Sequence, residues 1–148
     1  MTLPENALSQ EPNAAPEGAP SYVVDPSKAD ALNRSLAVLL ASRRCADCLE
    51  QLEGQGGNMS AEEHIRHIAE CCSQQEGFIQ PEMPMQEIVF RTLLAGGNKP
   101  ATLWHLHNEV TETWYTPMNP RSLSVDNVKR VLDGDNYYGF ARVETAAP

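Results

Sequence analysis

Cys45-Ala-Asp-Cys48 and His64-Ile-Arg-His67-Ile-Ala-Glu-Cys71-Cys72 hold every cysteine of the chain and two of its four histidines. That crowding points to a metal ion, because tetrahedral zinc needs four nitrogen or sulfur ligands held close together. The Cys45-x2-Cys48 spacing lets two thiolates reach one ion without long-range chain closure. His67 and Cys71 stand four apart, so on a helix they share one face. The set reads Cys-x2-Cys-x18-His-x3-Cys, and Cys45, Cys48, His67 and Cys71 are the expected ligands. Sulfur and imidazole favour zinc over calcium or magnesium, which prefer oxygen. His64 and Cys72 remain alternative ligands. The competing reading is that the thiols pack between helices as small apolar groups, or serve redox chemistry. Catalytic zinc would need an open coordination position and a general base. Glu62, Glu63 and Glu70 read instead as the solvated face of a helix.

Working outward, Ser60-Ala-Glu-Glu63 forms a capping box, in which Ser60 accepts from an early backbone N–H and Glu63 reaches back. It predicts a helix running to about Cys72. Upstream, Asp25-Pro26 is a good helix start, with Asp as N-cap and Pro at the first position. Leu32, Leu36, Leu39 and Leu40 follow at helical spacing. That helix either continues through Arg43 and Arg44 into Cys45 and Cys48 or breaks there, and Gly54, Gly56 and Gly57 stop it. Residues 1–21 carry almost no large apolar side chain and read as a disordered tail. Residues 22–80 then form a zinc-binding helical module.

Pro81-Glu82-Met83-Pro84 marks a boundary. Beyond it lie three amphipathic patterns: Met85, Ile88, Val89 and Leu93, ended by Gly96-Gly97; Leu103, Leu106, Val110 and Trp114, capped by Thr102; and Val125, Val128, Val131 and Leu132, capped by Ser124. Asp133-Gly134-Asp135-Asn136 turns the chain into a strand over residues 137–143. His105 and His107 flank core positions of the middle helix, and Trp104, Trp114 and Tyr115 read as core and rim aromatics. The expected fold class is mainly α: a zinc-stabilised helical module followed by a three-helix module, residues 81–148, with a short strand.

The Cys₃His set resembles zinc fingers of the Cys-Cys-His-Cys type. His67-Ile-Ala-Glu-Cys71 is also similar to the His-Leu-x-x-Cys of zinc-binding anti-sigma domains, although there the Cys-x-x-Cys completes the same run. The segment Pro84–Val143 resembles the winged-helix domain of the delta subunit of bacterial RNA polymerase. Three features carry this: a first helix ending in Gly96-Gly97-Asn98-Lys99-Pro100, a second opening Ala101-Thr102-Leu103, and the closing Gly134-Asp135-Asn136-Tyr137-Tyr138-Gly139-Phe140. A full wing needs two strands, and one clear strand follows the third helix, unless residues near Thr116-Pro117 supply another. If the third helix reads DNA, its contacts are Arg121, Asn127, Lys129 and Arg130, with Arg suited to guanine and Asn to adenine edges.

Charge sets a limit on that expectation. The 148-residue chain carries −9 overall, with 12 acidic and 5 basic residues before position 81 and 8 and 6 after it. Such a chain repels the phosphate backbone, so any DNA contact should be weak and a protein partner should dominate. No apolar run reaches 18 residues, so no membrane-spanning helix is expected. The amino terminus lacks the basic and apolar regions of a signal peptide, and a cytoplasmic location is expected. No phosphate loop, nucleophile elbow or paired-carboxylate spacing suggests an enzyme. The expected function is a transcription-associated accessory or regulatory factor, with RNA polymerase or another multisubunit complex as partner. A structural adaptor with no nucleic-acid role is the alternative.

Overall fold

A computed structural model describes residues 20–33, 35–46, 59–114 and 123–143. Strand β1 is Ser21–Val24, followed by α1 (Pro26–Ala31) and α2 (Leu36–Ala41). Helix α3 (Ala61–Glu70) runs into a 3₁₀ turn, Cys72–Gln74. Then come α4 (Met85–Ala95), β2 (Ala101–Thr102), α5 (Leu103–Asn108, widening to a π turn over Glu109–Thr113), α6 (Val125–Asp133) and β3 (Phe140–Val143). Among the described residues the protein is mainly helical with one small antiparallel sheet, ordered β2-β1-β3.

Local signals account for most boundaries. Asp25 caps α1 by accepting from the Ser27 amide at 2.9 Å. The leucine stripe does not make one helix. Asn33 adopts φ 61°, a left-handed turn that asparagine tolerates, and Ser35 caps a new helix by accepting from the Val38 amide at 3.3 Å. The Ser60 capping box is complete: the Glu63 amide donates to Ser60 Oγ at 3.2 Å, and the Ser60 amide to Glu63 Oε1 at 3.0 Å. Helix α4 ends in a Schellman turn, with the Asn98 amide on the Leu93 carbonyl at 2.7 Å and the Gly97 amide on Leu94 at 3.0 Å. Gly97 holds φ 75° there, which suits a residue without a Cβ. Thr102 and Ser124 cap α5 and α6 as expected, accepting from His105 and Asn127 at 3.1 Å each.

The sheet departs from the two-module expectation. Its central strand comes from the amino-terminal side: Ser21 and Tyr22 pair with Thr102 and Ala101, and Ser21–Val24 pair with Val143–Phe140. Thus Ser21 belongs to a strand and not to a tail. The partner that β3 requires is β1, some 120 residues upstream; residues 116–117 lie outside the described residues. Asn98 reinforces the join. Its side-chain amide donates to the Val24 carbonyl and accepts from the Val24 amide, both at 2.8 Å, as a strand neighbour would.

The expected strand from Tyr137 starts at Phe140 instead. The Asp135 carboxylate collects the amides of Tyr137, Tyr138, Gly139 and Phe140, leaving those residues in a turn. Gly139 is needed in that turn: φ is 88°, and a Cβ would come within 3.2 Å of the Asp25 carbonyl. One hydrophobic core spans both sides of Pro81–Pro84. Tyr22, Val24, Leu40 and Ile68 pack in the same cluster as Phe90, Leu106, Leu132 and Phe140. The proline pair therefore separates two stretches of chain and not two cores.

Candidate metal centre

Helices α2 and α3 pack together, and their carboxyl ends bring three sulfurs into one corner. Cys45 follows the turn after α2, Cys71 caps α3, and Cys72 opens the 3₁₀ turn. The three Sγ atoms lie within 4.8 Å of one another. Cys45 and Cys71 Sγ are 3.6 Å apart. A tetrahedron built on zinc–sulfur bonds of about 2.3 Å has edges of about 3.8 Å. The spacing therefore fits two ligands of one ion. The Cys45 amide donates to Cys72 Sγ at 3.1 Å, a backbone donor of the kind that orients a metal-binding sulfur. Cys72 is 1% exposed, whereas Cys45 and Cys71 are partly exposed.

This set differs from the one expected. Cys45 and Cys71 are brought together; Cys48 lies outside the described residues. His67 is not in the cluster, and Cys72 stands there in its place. The reason is local. The i, i+4 argument assumes that the helix continues through its second ligand, but α3 ends at Cys71, with φ −124° and ψ −64°. The chain then tightens into the 3₁₀ turn and carries Cys72 toward Cys45. The doubled Cys71-Cys72 was the one sequence signal of this outcome.

His64 has another task. It is 2% exposed, and the buried Arg44 guanidinium donates to its Nδ1 at 2.9 Å. An arginine always donates, so Nδ1 accepts and the ring is neutral, with its proton on Nε2. Burial, then the charges of Arg44 and His67, hold its pKa below the usual histidine range. Arg44 Nη1 also reaches Met59 Sδ at 3.4 Å, while its buried Nε has no hydrogen-bond partner among the described residues. Arg44 precedes Cys45 in the chain, and its guanidinium is turned to His64 and Met59.

A second polar cluster lies beside this corner, and the sequence carries no signal for it. Glu87 on α4 is 8% exposed and accepts from Arg43 Nε at 3.0 Å and Nη2 at 2.7 Å, Arg91 Nε at 2.7 Å and the Tyr138 hydroxyl at 2.8 Å. Burial alone would raise its pKa, but the donors from Arg43, Arg91 and Tyr138 outweigh that and hold it at about 2. Burial and the carboxylate together push the Tyr138 hydroxyl well above the usual phenol range. Arg43 also lies over the Phe90 ring at 5.1 Å. Glu87, in the first turn of α4, joins that helix to the turn after α2 and the turn before β3.

The expected DNA-facing residues lie on α6, with Arg121 outside the described residues. Lys129 pairs with Asp133 at 3.3 Å, and Arg130 donates to the Asn127 side chain at 3.3 Å. Asp133 also accepts from the Tyr22 hydroxyl and from Arg142, each at 2.7 Å. Burial raises the Tyr22 pKa to about 12, with the Asp133 hydrogen bond adding to it. His107 Nε2 donates to the Leu123 carbonyl at 2.8 Å, a packing role. No described helix is long and apolar enough to cross a membrane. Among known proteins, no family model, curated sequence or solved structure matches this chain.

Proposed function

We propose that this chain is a zinc-binding accessory factor of transcription that works through protein contacts and catalyses no reaction. The observation that carries the metal half is the three-sulfur corner, with its 3.6 Å spacing and its amide-to-sulfur bond. Cys48 is the fourth ligand in this reading, on its Cys-x2-Cys spacing alone. With sulfur ligands filling the shell, the ion acts as a staple between α2 and α3 and not as a Lewis acid.

The transcription half rests on the resemblance to the winged-helix domain. It is supported by the order α4, β2, α5, α6, β3, in which β3 pairs antiparallel with β1. The neighbours of Lys129 and Arg130 favour a factor held by a protein partner over one that grips DNA by itself. RNA polymerase, or another multisubunit complex of transcription, is the partner in this reading.

Elemental analysis of purified protein should find about one zinc per chain, and a chelator should lower its helicity. Tagged protein should co-purify polymerase subunits from its native cell. Metal-free protein with an unchanged far-UV spectrum would sink the metal half. Recovery of a different complex, with no shift of promoter DNA, would favour the adaptor alternative.

A further inference from the structure

We propose that the cysteine corner is a redox switch: a peroxide joins Cys45 to Cys71 as a disulfide and expels the ion. The inference rests on reading the corner as a metal site and adds its regulation. Two observations carry it. The Cys45 and Cys71 sulfurs are 3.6 Å apart, so they need approach by only about 1.5 Å to reach disulfide length. Both are partly exposed, while Cys72 is 1% exposed and accepts the Cys45 amide. Oxidant therefore meets the first two sulfurs before the third.

The chemistry balances with hydrogen peroxide as the two-electron oxidant. One thiolate of the pair attacks a peroxide oxygen, breaking the O–O bond and forming a sulfenic acid with release of hydroxide. The second thiolate attacks that sulfenic sulfur, forming the S–S bond and releasing a second hydroxide. Two protons turn the two hydroxides into water. Zinc loses two thiolate ligands and departs as the divalent ion. The new bond holds the ends of α2 and α3 together where the ion held them, so one staple replaces another and the fold survives the loss of metal. A dithiol reductant reverses the change.

The test uses full-length, reduced, zinc-loaded protein titrated with hydrogen peroxide. Zinc release is followed with a chromogenic chelator, and the products are mapped by non-reducing peptide mass spectrometry. Zinc should leave in step with a Cys45–Cys71 linkage, and dithiothreitol should restore binding. Cys72→Ser should still form that linkage; Cys71→Ser should not. Oxidised protein should keep the far-UV signal that chelation of reduced protein diminishes. Linkage of Cys45 to Cys48 or Cys72, or sulfinic acid with no disulfide, would overturn the switch while leaving zinc binding intact. A protein that purifies without zinc would overturn both the switch and the metal reading.

Discussion

The Glu87 clamp and the cysteine corner both start from the turn after α2, one at Arg43 and the other at Cys45. In the clamp the chain supplies everything. One buried carboxylate takes four donor bonds from two arginines and a tyrosine, and the ring of Phe90 covers one of the cations. Such a cluster offsets its desolvation from within, since both guanidiniums bond to the one carboxylate between them. The corner is built on a different principle. Three sulfurs converge, and their mutual packing gives little compared with what an ion would give. Neighbouring residues can thus serve one self-contained join and one that depends on a bound species.

The largest expected effect comes from cutting the chain. A fragment of residues 81–148 loses β1, the only partner of β2 and β3 among the described residues, together with half the core. It should give a collapsed amide spectrum; a dispersed one would show that neither the clamp nor the corner is needed for the carboxy-terminal helices. Next in size, Glu87→Ala should cost about 3–5 kcal/mol in urea unfolding, because it strands two mostly buried guanidiniums. The loss should be the same with and without chelator, since the clamp needs no ion. A strong chelator dependence would merge the two corners into one unit.

Acid sharpens the contrast. The Glu87 pKa is near 2 when folded against 4.5 for the ordinary group, so its contribution is complete above pH 4.5 and is lost as pH falls from there toward 2. Glu87→Gln should remove that part of the acid limb, as read by stability measured from pH 5 to 2. Asn98→Ala should be milder, about 1–3 kcal/mol, for two lost bonds to Val24 and a left-handed backbone. Asn98→Gly should recover only the backbone share. The smallest effect concerns His67→Ala, which should leave zinc stoichiometry unchanged while Cys72→Ala lowers it. The opposite ranking would restore His67 as the ligand and remove Cys72 from the corner.

Local chemistry was legible in the residues themselves. The Ser60–Glu63 capping box, the Thr102 and Ser124 caps, the Asp25-Pro26 start and the Gly96-Gly97 stop each depend on neighbours within a few positions. The clustering of cysteines also announced a metal-capable corner, because sulfur rarely gathers in so short a stretch without a use for it. What needed the tertiary structure was every relation set by distant chain. The leucine stripe could not show that Asn33 and Ser35 split it, since both options bury the same leucines. That Cys72, and not His67, comes beside Cys45 and Cys71 turned on where α3 stops and how tightly the next turn winds. β1 became the central strand because β3 needed a partner and Val24 met Asn98, 74 positions away. Nothing beside Glu87 in the sequence shows that Arg43, Arg91 and Tyr138 converge on it. Short-range hydrogen bonds are encoded in adjacent residues, whereas burial and charge pairing depend on which remote segments the core brings together.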